Sequence, residues 1–210
     1  MTEVVAPDEA RAALERIVSG LVGERLVGIR YSDVYNFGPE LRVWDHGDWH
    51  HAVMGVEFML GTGPASIIWT STFHPYGVEV FREPLSNHLV LGPEGPEMWE
   101  AGDHPHWRER MKSPISNALL FWDRIVVGPA YRADGGERLS EADSVEVPVA
   151  LRLEFAAGPL PVWFVSAVPK LSEPDDAFVH GDEIMVVFAA DKMRRLGFPD
   201  GQFIATDGQP

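Results

Sequence analysis

The chain of 210 residues carries 32 acidic and 17 basic side chains, a net charge of −15 with histidine neutral. Its 45% apolar and 10% aromatic content supplies core material for one folded domain over residues 1–210 and excludes a disordered acidic polymer. No apolar run approaches the roughly 20 residues that span a bilayer, and the acidic start lacks the basic-then-apolar order of a secretion signal, so a cytoplasmic protein with no membrane partner is expected. The absence of cysteine removes disulfides, thiolate metal sites and thiol nucleophiles, leaving His, Asp, Glu, Ser, Tyr or a cofactor for any chemistry.

The first element is a helix over Pro7 to Val22. Ala10, Leu14, Ile17, Val18 and Leu21 recur at helical spacing, Pro7 suits a first turn, and Asp8 and Glu9 suit the positive end of the dipole. Arg25 to Tyr31 alternates as a strand, with Val27, Ile29 and Tyr31 on one side. His51 to Leu60 places Ala52, Met54, Val56, Phe58 and Leu60 on one face, and the turn Gly61-Thr62-Gly63-Pro64 leads to a second strand, Ala65 to Thr72. Gly77 to Phe81 extends the sheet. The stretch 83–112, with four prolines and little periodicity, reads as a long surface excursion of the kind that carries function.

Ile115 to Val127 reads as a strand from about Leu119. Val145 to Phe155 alternates most cleanly, with the valines, leucines and Phe155 on a core face and Glu146, Pro148, Arg152 and Glu154 on a wet one. Pro161 to Val168 and Ile184 to Phe188 supply further strands, and a short helix, Asp191 to Leu196, stops at Gly197. Strands in hairpin order with a helix at each end predict a β-rich α+β fold. Its antiparallel twisted sheet would form a sandwich or open barrel, with an N-terminal and a short C-terminal helix.

Charge bears on partners. From Asp134 to Glu183 there are eleven acidic residues against Arg138, Arg152 and Lys170. Such a surface repels nucleic acid and admits a basic protein. The ending Gly181–Phe198 resembles the strand-then-short-helix finish of many small bacterial α+β proteins, some immunity proteins among them, without naming a family.

Reactive side chains concentrate in 44–107, which holds seven of the eight histidines and five of the seven tryptophans. If Trp44 to His51 is extended, His46, Asp48 and His50 share a side. Two imidazoles and a carboxylate there could bind zinc or iron, a further ligand could come from the His104/His106 pair, and the candidate ligands are His46, His50 and His106. Without metal, His50 or His51 paired with Asp48 or Asp45 would serve as a general base. Tyr35, Trp44, Trp49, Tyr76 and Trp99 are candidates for a pocket or an interface. No Gly-x-Ser-x-Gly elbow, HExxH, GxGxxG or P-loop pattern occurs. Polar loop histidines packed beside indoles account for the same residues with no site at all.

Three functions compete. The first is an acidic interaction module for a macromolecular partner, of an inhibitor or immunity kind. The second is an enzyme with a His/Asp/Trp-lined pocket, metal-dependent or using His with Asp, acting on a small apolar substrate. The third is a barrel-type carrier or cyclase for a small molecule.

Overall fold

Helix α1 (Pro7–Ser19) forms where the apolar spacing predicts it, with Leu14, Val18 and the following Leu21 buried. The computed structural model describes residues 7–34, 43–73, 76–89, 95–129, 136, 143–156, 160–170, 173 and 176–198. Within them ten strands make one curled, mixed sheet in the shape of a half-barrel. They are β1 (Leu26–Val34), β2 (Trp49–Val53), β3 (Gly55–Leu60), β4 (Gly63–Thr70), β5 (Gly77–Phe81), β6 (Pro96–Glu100), β7 (Ile115–Val127), β8 (Asp143–Phe155), β9 (Val162–Pro169) and β10 (Ala177–Val187). Two short helices, α2 (Pro105–Arg108) and α3 (Ala190–Arg195), complete the elements used below.

The strand order is β5-β4-β3-β1-β2-β10-β9-β8-β7, with β6 paired to β1. All pairings are antiparallel except the single Ser32–Val53 bridge between β1 and β2. Helix α1 packs against both β5 and β7, the two ends of this order, and so covers the open seam of the half-barrel. At the same seam β5 closes on β8. A Cβ on Gly77 would lie 2.8–2.9 Å from the Pro148 ring, an approach only glycine allows.

Both faces of the central sheet are buried. Phe164 and Leu151 join Ile29, Tyr31, Phe58 and Ile67 in one core, while Trp163, Val165, Met185 and Val187, alternating with them, lie under Met193, Leu196 and Phe198. The wet face expected for β8 is therefore covered along part of its length. The register slips where Phe121 opposes Ala150 and Trp122 opposes Pro148, and Val149 falls in the second core. Arg152, nearly buried, lies over the Trp163 ring and pairs with Glu154 at 2.8 Å.

Four other expectations change. A bulge between Leu26 and Gly28 turns Val27 out, so Leu26 joins Ile29 and Tyr31 in the core instead. The predicted strand His51–Leu60 is two strands, broken where Val53 (φ 48°) and Gly55 (φ 152°) turn the chain. β2 then pairs with β10 and β3 with β1 and β4. The stretch 83–112 is a built part of the fold: β6 lies antiparallel to β1, and Leu85, Ala101, Trp107 and Arg110 are buried. β7 is strand from Ile115 onward. Among the described residues no helix is long and apolar enough to cross a membrane.

Two tests follow from the strand break and from a buried acid. A Cβ at Gly55 would meet the Ile67 carbonyl oxygen at 2.6 Å. Gly55→Ala is therefore expected to lower stability by about 1–3 kcal/mol, read as a fall in the urea midpoint; an unchanged midpoint would refute the strain. Glu79 on β5 accepts a hydrogen bond from the Thr70 hydroxyl, and burial pushes its carboxyl up to about 7 while a bond from Thr72 opposes the rise. Its folded value lies above the unfolded one, so its contribution is full below about 4.5 and is lost as pH rises through 7. Between pH 5 and 8 the wild type should lose on the order of 2–3 kcal/mol relative to Glu79→Gln, and parallel urea profiles would exclude the shift.

Candidate metal centre

The segment Trp44 to His51 folds back on itself as a tight hairpin. Gly47 takes φ 83° at the start of a two-residue loop, and its N–H donates to the Asp45 carboxylate at 2.9 Å. His46 N–H donates to Trp49 O at 3.0 Å and His51 N–H to Trp44 O at 2.7 Å. Between these two hydrogen-bonded pairs, Asp45 and His50 oppose each other as a bridge. Such non-hydrogen-bonded partners lie closest and share a face. Asp45 is thereby set beside His50, with Oδ1 3.8 Å from Nε2.

The third side chain arrives from the pairing of β6 with β1. Tyr31 opposes Trp99, and Ala101 N–H donates to Ile29 O, which delivers the next turn to the hairpin. Pro105 opens α2 at a position where no N–H is needed, with His104 as its N-cap. His104 Nε2 lies 3.1 Å from Asp45 Oδ2. One ligand atom each from Asp45, His50 and His104 thus lie within 4.8 Å of one another.

The surroundings are aromatic and graded in exposure. His50 is 0% exposed, whereas the side chains of His104 and Asp45 are 18% and 45% exposed. The His50 ring meets Trp44 at 4.9 Å, His104 at 4.4 Å and Phe188 at 4.6 Å between centroids. Its Nδ1 is 2.8 Å from the Tyr31 hydroxyl, which accepts the Trp107 indole N–H at 2.6 Å. The His50 Nε2 atom is buried with no hydrogen-bond partner.

Electrostatics set the protonation states that a metal needs. Burial pushes His50 down to about 3, helped by the neighbouring His104 and opposed by Asp45. The Gly47 N–H holds the Asp45 carboxyl below its ordinary value against some desolvation, with His104 adding to the effect. At neutral pH His50 is a neutral imidazole and Asp45 an anion. Two imidazole nitrogens and a carboxylate oxygen make the donor set of a zinc or non-haem iron centre with open positions. Metal–ligand bonds of about 2.0–2.2 Å put ligand atoms roughly 3.4 Å apart in a tetrahedron, so a shift of about an ångström closes this set.

The candidates read from the sequence divide between two faces. His50 is in the cluster and His106 borders it, with ring centroid 5.7 Å from His50 and Nε2 donating to Gly47 O at 2.7 Å. His46 is not brought in: the hairpin turns it to the other face, where it stacks on Trp49 at 4.0 Å. The trio His46, His50 and His106 is thus replaced by Asp45, His50 and His104, because the backbone turns at Gly47 instead of running extended. The grouping His50, His51 and Asp48 does not assemble. His51 alternates to the opposite face and meets Glu183 at 2.7 Å, and Asp48 pairs with Arg195 at 2.5 Å.

Among the aromatic candidates, Trp44 and Trp99 flank the centre through Tyr31. Trp49 lies on the far face between His46 and Lys192, and Tyr76 packs on Trp69. Tyr35 lies outside the described residues. The sequence reading weighs Asp45 only as a partner for a metal-free base and does not single out Trp107. The Asp45-His46-Gly47 turn signal points to the first, and nothing local points to the second.

No family model, curated protein or solved structure matches the chain. The chemistry of the site itself carries the functional reading.

With metal removed by a chelator, neutral His50 carries a pH signature. An unfolded histidine binds a proton near pH 6.5, and the folded ring resists it until about 3. The contribution is full above 6.5 and is lost as pH falls, by up to about 1.4 kcal/mol per pH unit. His50→Gln is expected to show a flatter loss of urea midpoint between pH 7 and 4.5. Equal slopes in the two proteins would contradict a sealed ring.

Proposed function

We propose that this protein is a metal-dependent enzyme whose divalent ion, zinc or iron, is held by Asp45, His50 and His104. The observation that supports this most is the buried, unpartnered Nε2 of His50 facing an ionised carboxylate and a second imidazole. A sealed polar nitrogen with no partner costs about 1–3 kcal/mol, and a metal ion would relieve it. Three protein ligands leave at least one position open, and the exposed Asp45 lies on the solvent side. A metal at that position lowers the pKa of bound water towards neutrality and polarises a substrate oxygen. Trp44 and Trp99 beside it suit a small substrate with an apolar body and one polar group for the metal.

An acidic docking module for a basic protein is the competing proposal. Its support is charge, and several of the carboxylates concerned are engaged internally. Glu146 pairs with Arg11 and Arg124, Glu154 with Arg152, Asp176 with Lys170, and Glu183 with His51. The indoles Trp44 and Trp99 pack towards Tyr31 instead of presenting a free aromatic face. The metal reading is therefore preferred.

Elemental analysis of protein purified without a histidine tag is expected to find about one zinc or iron per chain, and the element found selects between the two. Asp45→Ala and His104→Ala should each weaken metal binding by two orders of magnitude or more, while His46→Ala leaves it unchanged. Metal-free protein whose melting temperature ignores added zinc and iron(II) would defeat the proposal.

A further inference from the structure

An indole N–H only donates, so the 2.6 Å contact from Trp107 puts its hydrogen on the Tyr31 oxygen. Tyr31 is fully buried, and a phenol keeps its own hydrogen at neutral pH. The one acceptor in reach among the described residues is His50 Nδ1 at 2.8 Å. Tyr31 therefore donates to Nδ1, and in the metal-free ring the proton sits on Nε2. That N–H points towards Asp45 Oδ1 across 3.8 Å, too far for a hydrogen bond.

A metal ion needs the Nε2 lone pair. Its capture requires one proton to leave Nε2 for solvent and one to arrive at Nδ1, so the ring stays neutral and His50 releases no net proton. The new Nδ1–H then needs an acceptor. A histidine ligand commonly donates this hydrogen to a carboxylate or a carbonyl, which only accepts and so holds one tautomer permanently. A phenol both donates and accepts. Turned about its C–O bond, the Tyr31 oxygen can receive both Trp107 and His50, while its own hydrogen loses its acceptor.

We infer that Tyr31 is a positioning residue that supports both proton placements on His50, holding the metal-free tautomer closed to metal and accepting the other once metal arrives. The inference rests on the metal reading above. Bonds from three protein ligands to a metal ion outweigh one orphaned hydroxyl, which allows the exchange. His104 makes the same change against a weaker hold, since its Nδ1 accepts the His106 N–H across 3.4 Å. Tyr31 is thus the principal restraint on the centre.

The test uses full-length protein with ¹⁵N-labelled histidine, freed of metal and titrated with zinc alone. Ring ¹⁵N shifts are expected to report His50 as the Nε2–H tautomer before zinc and as Nδ1–H after it. Tyr31→Phe should show a mixture of tautomers before zinc, because neither is then selected. A metal-free wild type already carrying Nδ1–H, or Tyr31→Phe with the wild-type proportion of Nε2–H before zinc, would overturn the role of Tyr31. Should that variant fail to fold, the wild-type tautomers before and after zinc decide the matter. If the wild type takes up no zinc or iron, the metal reading falls, and the metal-free tautomer then judges Tyr31 separately.

Discussion

The bridge between Asp45 and His50 is the constraint on which the geometry of the candidate centre depends. A two-residue loop led by Gly47 reverses the chain, and the register it imposes leaves these residues as a close, non-hydrogen-bonded pair. The carboxylate also caps its own turn by accepting the Gly47 N–H, which fixes its direction and favours its charge. A shift of one residue would send His50 to the far side of the sheet, where His51 and Trp49 now pack. Loop geometry thus sets which imidazole faces which acid.

Around that pair the fold supplies burial on one side and access on the other. β2 pairs antiparallel with β10, which leads into Phe188, and His50 is sealed beneath Phe188, Trp44 and Tyr31. His104 comes from the turn after β6 and stays half-buried, with Arg110 holding its segment by donating to the His106 and Leu160 carbonyls. Burial also depresses Arg110 to about 10 and leaves its Nε without a partner. Polar groups are thus kept dry around the histidines at a cost to stability.

Much of the fold was legible from periodicity. Helix α1, the β3–β4 hairpin, the alternation in β8 and the short α3 follow from patterns that local sequence sets directly. The departures occur where one residue breaks the period of two. Val27 bulges out, Val149 changes faces, and Val53 with Gly55 divides a strand that reads as continuous. β6 was missed because Pro96–Glu100 is short and has no alternation of its own; its pairing with β1 makes it a strand. The histidine-rich span does contain the clustered side chains, but the cluster is Asp45, His50 and His104 and not the trio the spacing suggests. An extended backbone was assumed where Asp45 and Gly47 signal a turn.

The sequence by itself determined a β-rich domain with a helix near each end, no thiol chemistry, and reactive side chains gathered between Trp44 and Trp107. Those are properties of composition and of neighbours along the chain, which act over a few residues. Only the tertiary structure decided that Asp45, His50 and His104 share one place and that Tyr31 and Trp107 stand behind them. Contacts spanning 19 to 76 positions depend on strand register and sheet curvature. These arise when the whole sheet buries its two faces, and no local pattern encodes them.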